Sequence, residues 1–158
     1  MAALAPLDLQ DELAKVIAEI LKENRYKHPL GKMVPMKVFT QNVPYDETDD
    51  DEDPIPYVIV RLHSGEDEGS KDSFYTVKVV FIIGMFDDSL EAQGYRDVMG
   101  VINKIYRRFH TNPNVNGVAV YAGAFDWVLQ DDNYFPYCFG ACTLDFHIPA
   151  IRMEDPYA

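Results

Sequence analysis

The chain has 158 residues, a mass of 18.0 kDa, a formal net charge of −12 and an isoelectric point near 4.6. That length fits a single domain, residues 1–158, able to bury roughly 70% of its unfolded surface. A hydrophobic content of 47% and an aromatic content of 13% exclude wholesale disorder. The acidity argues against specific nucleic-acid binding, which needs clustered Lys and Arg, and against docking on anionic membranes. No apolar run approaches the ~20 residues of a membrane span.

The first residues carry Asp8, Asp11 and Glu12 in place of a basic segment and a greasy core, so no secretory signal is expected. Two cysteines, Cys138 and Cys142, do not make a disulfide framework. A reducing, cytoplasmic site of folding is the expectation.

Leu9, Leu13, Val16, Ile17, Ile20 and Leu21 recur at helical spacing. They predict an amphipathic helix over 8–24, with Asp8 as its cap and the apolar stripe covering a sheet. His28-Pro29-Leu30-Gly31 is a connector, and residues 34–41 read as a strand. Pro35 near its start assigns that strand to an edge.

Residues 46–53 read Asp-Glu-Thr-Asp-Asp-Asp-Glu-Asp. Seven acids in eight positions supply more than half the net charge; without them it is −5. Pro44, Pro54 and Pro56 bracket the run, which reads as a solvated, mobile loop at about 44–54 within the domain. An EF-hand needs Gly at the sixth position and Glu at the twelfth. Counted from Asp46 these are Asp51 and Tyr57, so the pattern fails.

Tyr57–His63 alternates, with Val58, Val60 and Leu62 toward the core and Ile59 on the outer face as a possible contact residue. Ser64–Asp72 reads as a hairpin connection. Ser73–Phe86 is the strongest strand, apolar on both faces in its second half, and is therefore central or covered by another subunit. Asp88 with Glu91 resembles a capping box opening a helix over 89–111, which Asn112-Pro113 stops. Gly117–Leu129 reads as a strand whose apolar phase changes at a bulge near Gly123, from Val118 and Val120 to Phe125, Trp127 and Leu129. After a turn at 130–133, Tyr134–Ile148 is the last strand, with Cys138, Cys142, Leu144, Phe146 and Ile148 toward the core. The order predicted is helix-strand-strand-strand-helix-strand-strand: an α+β fold with a mostly antiparallel sheet and two helices packed on it.

Chemistry is sparse. Two cysteines four residues apart on a strand would lie ~13 Å apart, too far to share a metal or a disulfide. His28, His63, His110 and His147 fall in separate elements. Asp145 and His147 share a strand face and could hydrogen-bond, but no nucleophile beside them is visible. Gly65-Glu66-Asp67-Glu68-Gly69 bears glycines, but its carboxylates would repel a phosphate. No dinucleotide, P-loop or hydrolase-elbow motif occurs. No catalytic, cofactor-binding or metal-binding residue is assigned, and no enzyme activity is expected.

Aromatic residues are enriched at protein interfaces. Tyr134, Phe135 and Tyr137 at a hairpin end, Trp127 beside them, and Phe39 and Tyr45 flanking the acidic run are the candidate contact residues. Asp49, Asp50, Asp51, Glu52 and Asp53 of the run join them.

The stretches Ile55-Pro56-Tyr57-Val58-Ile59-Val60-Arg61-Leu62 and Val79-Val80-Phe81-Ile82-Ile83-Gly84-Met85-Phe86-Asp87-Asp88 carry a resemblance. The segments Gly94-Tyr95-Arg96-Asp97-Val98-Met99 and Leu144-Asp145-Phe146-His147-Ile148-Pro149 complete it. Over residues 54–149, with the first helix in the expected order, the chain resembles the tail terminator (tail completion) proteins of long-tailed bacteriophages and prophages. The acidic insertion before Pro54 departs from that pattern.

The resemblance implies a small α+β protein that assembles as a hexameric ring on the head-proximal end of the tail tube. Such a ring stops polymerisation of the tube and presents a surface to the head connector, without cofactor. The implied partners are a second copy, the tail tube protein and the head-tail connector protein. The implied location is the virion tail after assembly in the host cytoplasm. A head-closure or neck connector protein, a small cytoplasmic α+β enzyme, and an acidic adaptor docking a basic partner are the alternatives.

Overall fold

A computed structural model describes residues 5–44, 54–70 and 72–151. The acidic run, with Tyr45 and residues 49–53, lies outside the described residues.

Helix α1 spans Ala5–Leu21 and buries Leu9, Leu13, Val16, Ile17 and Leu21 on one stripe. It begins earlier than the periodicity predicts. Pro6 suits a first turn, where its missing N–H costs nothing, and Asp8 lies within that turn instead of capping it. Two short strands follow, β1 at Tyr26–Lys27 and β2 at Met33–Val34, paired antiparallel. Strand β3, Lys37–Thr40, begins after Pro35, so the strand expected over 34–41 is split at that proline.

Strand β4 runs Tyr57–Asp67 and β5 runs Tyr75–Phe86. β4 therefore continues four residues past its expected end, through part of what reads as a connection. Helix α2 spans Tyr95–Thr111 and buries Val98, Val101, Ile102, Ile105 and Phe109. Its expected start at the Asp88–Glu91 box is not observed. The Asp87 carboxylate accepts from the Ser89 N–H at 2.9 Å, Ala92 takes a positive φ of 51°, and Leu90 is 99% exposed. That turn holds the chain out of the helix until Gly94.

Strand β6 is the pair Asn114–Val115, β7 spans Ala119–Leu129 and β8 spans Tyr137–Ile148. The two-residue strands β1 and β6 and the separation of β2 from β3 depart from the expected order, so the element order is matched in part.

The main sheet has the order β3-β4-β5-β8-β7-β6. β3 and β4 are parallel; every other pairing is antiparallel. The central position of β5 follows from its two apolar faces. Both helices pack on one face, where Val58, Val79, Phe81, Leu144 and Phe146 join them in one core.

On β7 the expected change of phase does not occur. Ala119 and Tyr121 are buried, as in part are Phe125 and Leu129, while Val120 is 48% exposed. Tyr121 faces Phe146 and Phe125 faces Leu144. Four residues of β7 thus span two of β8, with Gly123 at φ 100° in the excursion. An even excess leaves the parity of the core face unchanged.

No helix covers the opposite face among the described residues. There the register lines up Phe39, Ile59, Ile82, Ala141 and Val128 in one apolar row crossing five strands. Ile59, read from sequence as a contact residue, sits mid-row and is only 5% exposed. A second row, Lys78 beside Asp145, and a third, Thr76 beside His147, make the far end of this face polar.

Candidate interaction surface

The β7–β8 hairpin end gathers exposed aromatic groups. Tyr134 and Phe135 are 53% and 46% exposed, and Trp127 on β7 is 50% exposed. The Asn133 carboxamide oxygen accepts from the Phe135 N–H at 2.9 Å and fixes the turn, while Tyr134 and Tyr137 form an isolated bridge. Tyr137 itself is half-buried against Phe86, ring centroids 5.6 Å apart. Phe39 lies at the other side of the sheet, half-buried edge-to-face on Tyr57 at 6.4 Å. The structure therefore groups Tyr134, Phe135 and Tyr137 at one hairpin and separates them from Phe39 by the width of the sheet.

Below Trp127, a shallow groove of about 500 Å³ is lined by Met99, Ile102, Asn103, Tyr106, Phe125 and Trp127. Its floor is an aromatic stack. Tyr106 lies on His110 at 4.0 Å and edge-on to Phe125 at 4.9 Å. The Tyr121 hydroxyl sits 3.3 Å from His110 Nε2, and burial holds its phenol above the ordinary value. Sequence reading missed this groove because it joins the exposed side of α2 to the strand beyond the Gly123 excursion, residues about twenty positions apart. It also missed Val128, which is 60% exposed.

Elsewhere polar groups are engaged with one another. His147 Nδ1 lies 3.2 Å from Thr76 Oγ1 and its ring stacks on Phe74 at 4.2 Å. Among the described residues no side-chain bond joins Asp145 and His147, which could hydrogen-bond on their shared face; the cross-strand Thr76 partners His147 instead. Both cysteines are free: Cys142 is buried, and Cys138 only partly so. Burial pushes both thiols up, Cys138 further through Asp87 and Asp97. No group of three or more His, Cys, Asp or Glu close enough to hold a metal occurs among the described residues. None of the described helices is long and apolar enough to cross a membrane.

Sheet edges differ in how they are protected. β3 is four residues long and preceded by Pro35. β4 beyond β3 has a bulge at His63, then Glu66 and Asp67. The bulge and the acids discourage strand addition along β4, and the short β3 leaves an edge of only four residues. The outer edge of β7 lacks most of these. β6 covers only Ala119 and Val120, with one further bond from the Tyr121 N–H to Pro113 O at 2.8 Å. From Ala124 to Leu129 no strand pairs with that edge among the described residues, and Asp126 is its only charge.

Compared with known proteins, the chain matches no family model and no curated protein.

Proposed function

We propose that this chain is a structural virion assembly protein that caps a phage tail tube, stops its polymerisation and joins the tail to the head connector, acting as a ring, six copies by the resemblance. The observation that carries this reading is the placement of exposed apolar groups along one sheet edge, Trp127 and Val128 on β7 with Tyr134 and Phe135 at its end. Trp127 pairs with buried Cys142 and Val128 with Ala141, so the two lie on opposite faces of that edge, and aromatic groups held in the open at such an edge are typical of protein contact surfaces. A ring needs a heterologous contact, in which one patch meets a different patch and closure sets the count. The α+β architecture and the resemblance over residues 54–149 agree with that role, and the reading requires no chemistry.

The test is tail length, measured by electron microscopy on particles from a lysate lacking this gene. Overlong or ragged tails separated from full heads support termination. Tails of normal length properly joined to heads sink the reading. Normal-length tails left unattached favour a neck protein instead.

A further inference from the structure

The outer edge of β7 is a run of backbone N–H and C=O groups whose chemical complement is another β-strand. Three observations select the strand. First, the apolar row on the helix-free face begins at Phe39 on β3 and ends at Val128 on β7, the two sides of the sheet. A strand that continues the row beyond Val128 must present an apolar group, and Phe39 of another copy is such a group. Second, charge is unequally divided. Residues 22–37 carry Lys22, Arg25, Lys27, Lys32 and Lys37 against Glu23, with Lys22 paired to Glu19 and Lys27 to Asp88 from outside the segment. Between Arg108 and Arg152 there is no Lys or Arg, while Asp126, Asp131, Asp132 and Asp145 fall there. The segment leading into β3 is basic, and β7 and β8 carry acids without a Lys or Arg of their own, with Arg108 of α2 reaching Asn114 beside them. Third, two β7 edges meeting across a two-fold axis would bring acidic side to acidic side.

We propose that a second copy of this chain adds its β3 to the open edge of β7, antiparallel and head-to-tail, with Phe39 of one copy beside Val128 of the other. The direction follows from the pairings: β7 is antiparallel to β8, β8 to β5, β5 to β4, and β4 is parallel to β3. Two copies related by continuation of the sheet therefore meet antiparallel. The contact uses different patches on the two copies, so its repetition gives a ring where the rotation closes. It deepens the ring reading above and rests on it for that closure, whereas the pairing itself is a property of this chain alone.

Cross-linking of the full-length chain tests the pairing. Facing residues on antiparallel strands bring their Cα atoms to about 4.5–5.5 Å, within disulfide reach. A Val128→Cys chain mixed with a Phe39→Cys chain is expected to form a disulfide dimer under mild oxidation, and neither alone should do so. A dimer from Val128→Cys alone overturns the head-to-tail arrangement in favour of a two-fold one. No dimer from the mixture, at concentrations where the wild type sediments as more than a monomer, overturns the proposal. So does a wild type that stays monomeric up to about millimolar concentration.

Phe39 packs on Tyr57, so a second variant protects the test. Val128→Lys, at an exposed edge position, should leave the circular dichroism unchanged and weaken association at least tenfold by sedimentation velocity; unchanged association overturns the proposal. A confirmed cross-link together with tails of normal length would sink the tail reading and leave the contact standing.

Discussion

Gly140 on β8 sets how closely α2 can approach the sheet. A Cβ built there would lie 2.6 Å from Val98 Cγ1, 3.1 Å from Leu129 Cδ2 and 3.2 Å from the Val128 carbonyl oxygen. Val98 is fully buried on α2, and the Val128 oxygen belongs to the backbone of β7, so neither swings away freely. Overpacking of this kind costs about 1–3 kcal/mol. Restricting the unfolded chain on replacing glycine returns about 0.4–1 kcal/mol. Gly140→Ala is thus expected to lose about 1–2 kcal/mol net, or roughly 2–8 °C in Tm at this chain length. Val98→Ala removes the clashing methyl group and, alone, should also destabilise, by about 1.5–3 kcal/mol from lost burial and the cavity left. Because the methyl group added at position 140 would occupy that cavity, the double variant should be more stable than the sum of the singles by about 1 kcal/mol or more. Urea denaturation of the four proteins measures this. A Gly140→Ala variant within about 0.5 kcal/mol of wild type, or strictly additive losses, would refute the close approach of α2 to β8.

Further outcomes follow from groups away from that contact. The buried Gln10 side chain donates to the Val60 carbonyl oxygen and the Gln41 side-chain oxygen, both at 2.9 Å, tying α1 to the β3–β4 end of the sheet. Gln10→Ala should cost about 1–2 kcal/mol in the same denaturation assay, since both acceptors retain a second donor, the Gln41 and Leu62 N–H groups. Cys142 is buried and its thiol is pushed up by burial, so it should resist alkylation at neutral pH until the chain unfolds, with Cys138 reacting slowly in the native state; mass spectrometry of labelled peptides reads both. Burial, and then Asp87, hold the Asp97 carboxyl above its ordinary value. An acid whose pKa is higher folded than unfolded binds protons more tightly in the native state, so its contribution falls as pH rises from the unfolded value through the folded one. Asp97→Asn should therefore flatten the decline of Tm above about pH 4.

What the sequence made legible were the long periodic elements, because a buried face repeats its signal every turn or every second residue. α1, α2, β4, β5 and β8 are legible this way, and the central place of β5 follows from its two apolar faces. Starts are less legible. The Asp88–Glu91 pair has the spacing of a capping box, yet Ala92 at positive φ and the close packing of Gly94 on Cys138 govern where α2 begins, and both are tertiary facts. The Gly123 excursion is visible as a glycine between apolar runs, but whether it inserts one residue or two decides the parity of the whole strand. Only the pairing with β8 settles that. Among the candidate contact residues, Trp127, Tyr134 and Phe135 are exposed, whereas Phe39 and Tyr137 are partly packed on Tyr57 and Phe86. Val128 escapes notice because a valine on a strand reads as core until its strand is known to be an edge.

The distribution of charge makes one last expectation signed. A chain of net charge −12 repels copies of itself, so self-association is eased where unlike regions meet. The basic segment 22–37 and the region from 109 to 151, which lacks Lys and Arg, are two unlike regions of this chain, and Lys104, Arg107 and Arg108 form a further basic cluster. The acidic run 46–53 follows β3 in sequence and carries seven carboxylates. If β3 receives the acidic β7 side of a neighbour, that run opposes the contact. Replacing its acids by Ser and Asn should then tighten association at low salt by about threefold or more, and the gain should vanish once salt shortens the Debye length to about 3 Å near 1 M. Sedimentation at two ionic strengths decides the sign. Tightening at low salt places the run beside the contact as a brake on premature assembly. Weakening would mean that the run itself supplies the attraction, and that its complement on the next copy is a basic surface other than β3.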